Sequence, residues 1–244
     1  MRIAACLSCG GDLKTLILSD IHGNFPALEA VLKEEAPYDA CLFLGDAVDY
    51  GPFPKECIRF LMDKMDVGVL GNHDNALANN VDCGCRGDFK RFSEETRAWH
   101  KTLLDVSDLR FLRALPALTQ AHINGETLYL AHATPQGDLF RYLQEEEIEA
   151  AVEGITAEFV LLGHTHIQFK KHVGRTTVVN PGSIGLARDG GQACYAVLRD
   201  GKIDLRRVEY DVRKTIAALS VAPISEFSKE GLAGVLLGKS SMRS

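Results

Sequence analysis

Six short apolar runs recur along the chain: KTLILSD (14–20), ACLFLGD (40–46), VGVLGN (67–72), ETLYLAH (126–132), EFVLLGH (158–164) and TTVVNPG (176–182). Each is nearly continuous in hydrophobic residues and stops at a polar residue or a glycine, the pattern of a strand buried on both faces. Between the first three, the apolar spacing becomes helical. NFPALEAVLKEEAP (24–37) predicts a helix with Asn24 near its cap and Pro26 in its first turn, with Ala27, Ala30 and Val31 facing inward and Lys33, Glu34 and Glu35 outside. PKECIRFLMDKM (54–65) predicts a second helix. Strand, helix and strand, twice in succession, is the signature of βαβ units in a mainly parallel sheet.

SEETRAWHKTLL (93–104) and SDLRFLRALP (107–116) predict two further helices with serine caps, lying over one end and walling a pocket. The second half of the chain carries hairpin turns at 123–125, 173–175 and 199–201, with Asn124-Gly125 and Asp200-Gly201 the strongest signals. Two helical stretches follow Tyr210. There is no repeat, low-complexity tract or dividing linker, so residues 1–244 are expected to form one domain, with 1–13 an N-terminal extension and 211–244 a C-terminal helical segment.

A chain of 244 residues, 46% hydrophobic and 25% charged, can bury an ordinary globular core. A net charge of −6 and a pI near 5.8 argue against a polymeric nucleic-acid partner, which calls for a basic face. No apolar run approaches the roughly 20 residues of a membrane span, and the first 14 residues lack a secretory apolar segment, so a cytoplasmic location is expected. Seven cysteines in a chain of this length suggest free thiols. Cys41 and Cys57 fit apolar patterns. The pairs Cys6/Cys9 and Cys83/Cys85 suit either a zinc clip or a redox pair, with unpaired thiols on flexible segments as the expected reading.

The chemistry gathers where the strands end. Asp20 and His22 follow the first run, Asp46 and Asp49 the second, Asn72 and His73 the third, His132 the fourth, and His164 and His166 the fifth. In parallel α/β sheets the strand C-termini share one rim, so these distant residues should converge. Five of the eight histidines lie at such ends, whereas His100, His122 and His172 read as ordinary surface or helix residues. Imidazole, carboxylate and amide oxygen without thiolate suit first-row divalent ions. Two Asp, four His and one Asn are enough for two ions if one carboxylate bridges. Two such ions against Asp20 and Asp46 leave a centre of about +2, a phosphate trap within an acidic protein.

The ordered set SDIHGN (19–24), LGDAVDYGP (44–52), LGNHDN (70–75), LAHATP (130–135), LLGHTH (161–166) and NPGSIG (180–185) resembles the calcineurin-like metallophosphoesterases, in particular their small bacterial and archaeal phosphodiesterase branch. The resemblance runs from about residue 14 to residue 212 and leaves the first dozen residues uncovered. It implies an α/β fold, a double β-sheet sandwich flanked by helices, with a dinuclear metal site at the C-terminal strand ends. Asp20, His22 and His166 would hold one divalent ion, Asn72, His132 and His164 the other, and Asp46 would bridge. Manganese, iron, nickel, cobalt and zinc all suit these ligands. The implied reaction is attack of a metal-bridging hydroxide on a small phosphodiester or nucleotide.

Adjacent residues on an extended strand face opposite ways, so His73 is free of the metals. By resemblance it stabilises phosphoryl charge or protonates the leaving oxygen. Asp49 matches the phosphoprotein-phosphatase position that orients such a histidine, yet Tyr50 stands where those phosphatases carry a phosphate-gripping arginine. Without that clamp a diester or nucleotide fits better than a monoester. Arg188 could supply positive charge from another loop. Asp74 and Asn75 are expected to start the next helix, and Ser183 to shape its turn. The alternatives are a dinucleoside polyphosphate hydrolase or phosphomonoesterase using the same site and, with His73 and all seven ligand positions filled, least of all a non-catalytic scaffold of the same fold.

Overall fold

In the computed structural model, which describes residues 6–7, 13–188 and 190–239, all six apolar runs contain strands. In chain order the strands are β1 (Cys6–Leu7), β2 (Thr15–Leu18), β3 (Ala40–Phe43), β4 (Val67–Gly68), β5 (Leu118–Ile123), β6 (Glu126–Ala131), β7 (Phe159–Leu161), β8 (Gln168–Val173), β9 (Thr176–Pro181), β10 (Ala193–Arg199) and β11 (Lys202–Val208). The helices are α1 (Phe25–Glu35), α2 (Pro54–Lys64), α3 (Asn72–Asn79), α4 (Gly87–Leu103), α5 (Val106–Ala114), α6 (Ile148–Ala151), α7 (Val212–Ser220) and α8 (Glu226–Leu236).

The strands form two mixed sheets. One has the order β11-β10-β2-β3-β4, with β2, β3 and β4 parallel and β10 antiparallel to β2. The other has the order β1-β5-β6-β7-β9-β8, with β6, β7 and β9 parallel. Strand alternation sends neighbouring residues to opposite layers. Ile17 and Leu42 point between the sheets, where they meet Leu130, Leu161 and Val179. Leu16, Leu18 and Phe43 point outward against Leu28 and Val31 of α1 and Ile58 and Leu61 of α2. On the far face of the second sheet, Val160 and Val178 pack against Ile148 and Val152. The result is a sheet-on-sheet sandwich with helices outside. Each fully buried Leu, Ile or Val side chain contributes about 1.5–3 kcal/mol to it.

Several local expectations need correction. Helix α4 begins six residues earlier than predicted, because Phe89 and Phe92 continue its buried stripe; Ser93 lies inside it and donates to the Lys90 carbonyl at 2.8 Å instead of capping. The cap of α5 is Asp105, whose carboxylate accepts from the Ser107 and Asp108 N–H groups, in place of Ser107. Glu35 is buried, held by Lys14 Nζ at 2.7 Å, Arg206 Nη1 at 2.8 Å and the Tyr195 hydroxyl at 2.7 Å. Three donors meeting one carboxylate outweigh the outward position that helical spacing gave it.

The largest correction concerns LGNHDN. Its strand stops at Gly68, and Asn72 and His73 are the first residues of α3. Their divergence therefore comes from the roughly 100° step of a helix and not from strand alternation. Asp74 starts this helix as expected, accepting from the Gly71 N–H at 3.3 Å. It also accepts from the Asp46 and Ala47 N–H groups at 2.8 Å each, so the same carboxylate pins the β3 loop to α3.

Candidate metal and phosphoester site

The rims of both sheets meet at one place. Asp20 and His22 follow β2, Asp46 and Asp49 follow β3, His132 follows β6, and His164 and His166 follow β7, while Asn72 and His73 open α3. All nine are at most 5% exposed. Ten non-glycine residues among those described have positive φ, and seven of them are Asp20, His22, Asp46, Asp49, Tyr50, His164 and His166. Left-handed backbone costs on the order of 1 kcal/mol or more at each such residue. It turns the chain sharply at the strand ends, so that side chains from both sheets converge.

Three imidazoles are aimed by the backbone. Nδ1 of His22 lies 2.7 Å from the Val48 carbonyl, Nδ1 of His132 2.7 Å from that of Leu44, and Nδ1 of His166 2.8 Å from that of Leu186. A carbonyl only accepts, so each Nδ1 carries a proton and Nε2 is the atom left to face the site; burial opposes protonation of His132, but Asp46 and Asp20 raise it to about 9, so its Nε2 gives up a proton when a metal takes its place. Yet His22 Nε2 and His166 Nε2 lie only 3.1 Å apart, and His166 Nε2 is 3.1 Å from Asp20 Oδ1. Similarly, His132 Nε2 is 3.2 Å from Asp46 Oδ2 and 2.9 Å from Asn72 Oδ1, which also lies 3.1 Å from His164 Nδ1. Asn72 cannot rotate its oxygen away, because its Nδ2 donates to the Cys83 carbonyl at 2.7 Å.

Lone pairs facing lone pairs repel unless a cation sits between them. Asp20 Oδ1 and Asp46 Oδ2 are buried without a hydrogen-bond partner, as an acceptor reserved for a metal would be. The residues thus fit divalent metal, in two neighbouring groups: Asp20, His22 and His166, and Asp46, His132 and His164 with the Asn72 oxygen. Asp46 Oδ2 faces both groups, since it also lies 3.8 Å from His22 Nε2. Burial and the neighbouring His166 push His22 down to about 3, and burial with His132 does the same to His164, so both stay neutral and ready to bind.

His73 is set apart. Its Nδ1 bonds Asp49 Oδ2 at 2.7 Å, and Arg97 Nη2 donates to the same oxygen. Burial opposes protonation of His73, but the Asp46 and Asp49 carboxylates prevail and raise it to about 9. Its Nε2 faces the Tyr50 hydroxyl and Cys85 Sγ, both at 3.4 Å. The β3 loop carrying Asp49 and Tyr50 is clamped by α4. Thr96 Oγ1 accepts from the Tyr50 N–H at 2.9 Å, and His100 accepts the Asp49 N–H on Nδ1 at 3.1 Å while donating from Nε2 to the Gly51 carbonyl at 2.8 Å.

His100 is therefore a buried support and not an ordinary surface or helix residue. Arg97, Thr96 and His100 were missed at the sequence level. The signal was their place on the stripe of Phe89, Phe92 and Ser93 at spacings of three and four, where an arginine and a histidine must be buried and paired. Cys83 also departs from expectation. It is buried, with its sulfur 2.8 Å from that of Cys85, and not a thiol on a flexible segment. Cys41 and Cys57 are free and buried, as predicted. Cys9, and with it the Cys6/Cys9 pair of a zinc clip, lies outside the described residues.

The site opens into a cavity of about 640 Å³. Its walls include Gly84, Cys85 and Arg86 and residues 140–142 and Gln144; of the two helices expected to wall it, α4 reaches it through Phe89 in its earlier first turn and α5 does not. Arg188 lies in it, its guanidinium 5.0 Å from the centre of the Phe89 ring and its Nη2 3.4 Å from the Tyr142 hydroxyl. Tyr142 in turn stacks at a tilt 4.3 Å from His164. None of the described helices is long and apolar enough to cross a membrane.

A two-sheet sandwich with buried histidines and aspartates at its strand ends defines a metallophosphoesterase-like class of protein. The chain belongs to the calcineurin-like phosphoesterase superfamily, whose domain matches residues 13–200. It is similar to the crystal structure of a metallophosphoesterase from Sphaerobacter thermophilus, with a TM-score of 0.78 and 27% identity over 92% of this chain and all of that one. An uncharacterized protein of Methanocaldococcus jannaschii is 29% identical over 88% of this chain and 96% of its own length. The phosphodiesterase YfcE of Escherichia coli is 25% identical over 86% of this chain and its full length. A symmetrical bis(5'-nucleosyl)-tetraphosphatase of Vibrio cholerae is 32% identical over 56% of this chain and 51% of its own length.

Proposed function

We propose that this chain hydrolyses a small phosphodiester or nucleotide at the strand-end site, with Asp20, His22, Asp46 and His166 holding one divalent ion and Asp46, Asn72, His132 and His164 a second. The observation that carries the proposal is Asp46 Oδ2, buried without a hydrogen-bond partner and lying 3.2 Å from His132 Nε2 of one group and 3.8 Å from His22 Nε2 of the other. Bound there, divalent ions would polarise a phosphoryl oxygen and lower the pKa of water at neutral pH.

The remaining work falls to the chain. His73, protonated below about pH 9, lines the cavity with Asp46 and gives its Nε2 proton to the departing oxygen. Asp49, fixed by Arg97, holds the ring by Nδ1 and keeps the proton on it. Tyr50 limits the motion of His73 from the other side. Arg188 offers a positive charge in the cavity, its Nε buried and without a partner among the described residues.

A second reading, hydrolysis of a dinucleoside polyphosphate, is favoured by the aromatic walls Phe89, Phe140 and Tyr142, which suit stacked bases, and by the likeness to the tetraphosphatase. Rates on bis(p-nitrophenyl) phosphate, p-nitrophenyl phosphate and a diadenosine polyphosphate separate the readings. With the preferred substrate, His73→Asn should lower kcat by about 10²- to 10⁴-fold at unchanged metal content. Unchanged turnover in that variant would remove His73 from the reaction.

A further inference from the structure

Beside the proposed phosphoester site, the C-G-C segment places two sulfurs against His73. Cys83 Sγ and Cys85 Sγ are 2.8 Å apart, Cys85 Sγ is 3.4 Å from His73 Nε2, and all three donor atoms lie within 4.8 Å of one another. Two thiolates and an imidazole are a soft donor set, unlike the neighbouring groups, which offer carboxylate, imidazole and amide oxygen but no sulfur. The imidazole already has the arrangement of a metal ligand, because Asp49 holds its Nδ1 and leaves Nε2 turned toward the sulfurs. Cys85 lines the cavity, so an ion has an entry path and an open fourth position.

We infer that His73, Cys83 and Cys85 form a separate site for a soft divalent cation of the zinc or cadmium class, distinct from the Asp/His/Asn groups. Two Zn–S bonds of about 2.3 Å at a tetrahedral angle separate their sulfurs by about 3.8 Å. The pair must therefore part by about 1 Å, while the existing nitrogen–sulfur spacing already suits a shared ion. Binding releases the thiol protons and the Nε2 proton of His73 to solvent and leaves the sulfur oxidation state unchanged. It also occupies Nε2 of His73, so a bound soft ion blocks hydrolysis. That consequence rests on the role proposed for His73, whereas the coordination itself does not.

The test is a Cd²⁺ titration of the reduced, manganese-loaded full chain, followed by the ultraviolet thiolate-to-cadmium charge-transfer band. One equivalent per chain should saturate the band. Cys83→Ser/Cys85→Ser should abolish it, Cys6→Ser/Cys9→Ser should leave it, and Asp49→Asn should weaken Cd²⁺ binding about 10- to 100-fold. If the double serine variant does not fold, Cys85→Ser, at the partly exposed position, carries the comparison. A band that survives removal of Cys85, or no band at all in reduced protein, overturns the site. So does recovery of Cys83 and Cys85 as a disulfide that reductant does not reopen, which would make them a redox pair.

Discussion

Replacing Asp49 with asparagine removes a charge and almost no volume. Oδ2 of Asp49 takes hydrogen bonds from His73 Nδ1 and Arg97 Nη2, and Asp49 and Arg97 are 0% and 7% exposed. The variant strands the Arg97 cation, at a cost of about 3–5 kcal/mol for a broken buried pair. It also withdraws one of the two carboxylates that hold His73 near 9. His73 then loses its proton at lower pH, so the alkaline limb of kcat should move down by about one pH unit. A kcat loss of about 10²-fold or more should accompany it, the lower end of general-acid catalysis. Calorimetry and pH–rate profiles on bis(p-nitrophenyl) phosphate measure the two effects separately. Asp49→Asn/Arg97→Met removes the stranded cation as well, so stability should recover while kcat and the shifted limb do not. Recovery of kcat together with stability would refute the reasoning, since Asp49 would then matter only as a counter-charge.

Two further substitutions test the scaffold beneath the site. A β-carbon at Gly71 would lie 2.0 Å from Asp46 Oδ1 and 2.3 Å from the Asp46 nitrogen, so Gly71→Ala must displace Asp46; a loss of about 1–3 kcal/mol and of bound metal is expected, and full metal content in the variant would contradict it. Burial holds His100 down to about 4, and its Nδ1 accepts the Asp49 N–H, which a protonated ring cannot do. Because the folded value lies below the unfolded one near 6.5, this contribution is complete above that pH and is lost as pH falls toward 4, by up to about 3 kcal/mol. Chemical denaturation from pH 7 to pH 4 should show a shallower loss in His100→Gln, and identical slopes would count against it.

Much of the candidate site could be read from the chain because most of its residues follow strand ends. Parallel strands bring their C-termini to one level, so Asp20, Asp46, His132 and His164 needed no knowledge of tertiary contacts. Two sheets share the rim, which hydrophobic alternation alone does not disclose. Asn72 and His73 reach the rim from the first turn of a helix and not from a strand, because the run VGVLGN does not reveal that pairing stops at Gly68. What remained hidden depends on partners remote in sequence. Arg97 and Thr96 are read only with the β3 loop in place, and the pocket walls at 84–86 and 140–142 lie in loops with no periodic signature. Glu35 is the same lesson in the core: its three partners come from positions 14, 195 and 206.

The central claim is that Asp46 joins two metal positions. Metal content per chain, measured by plasma mass spectrometry after saturation with Mn²⁺ and removal of free ion, tests it most directly. The account predicts two equivalents in the wild type and one or none in Asp46→Asn, because the Asp46 carboxylate would serve both groups. One equivalent or fewer in the wild type, or two retained by Asp46→Asn, would contradict it.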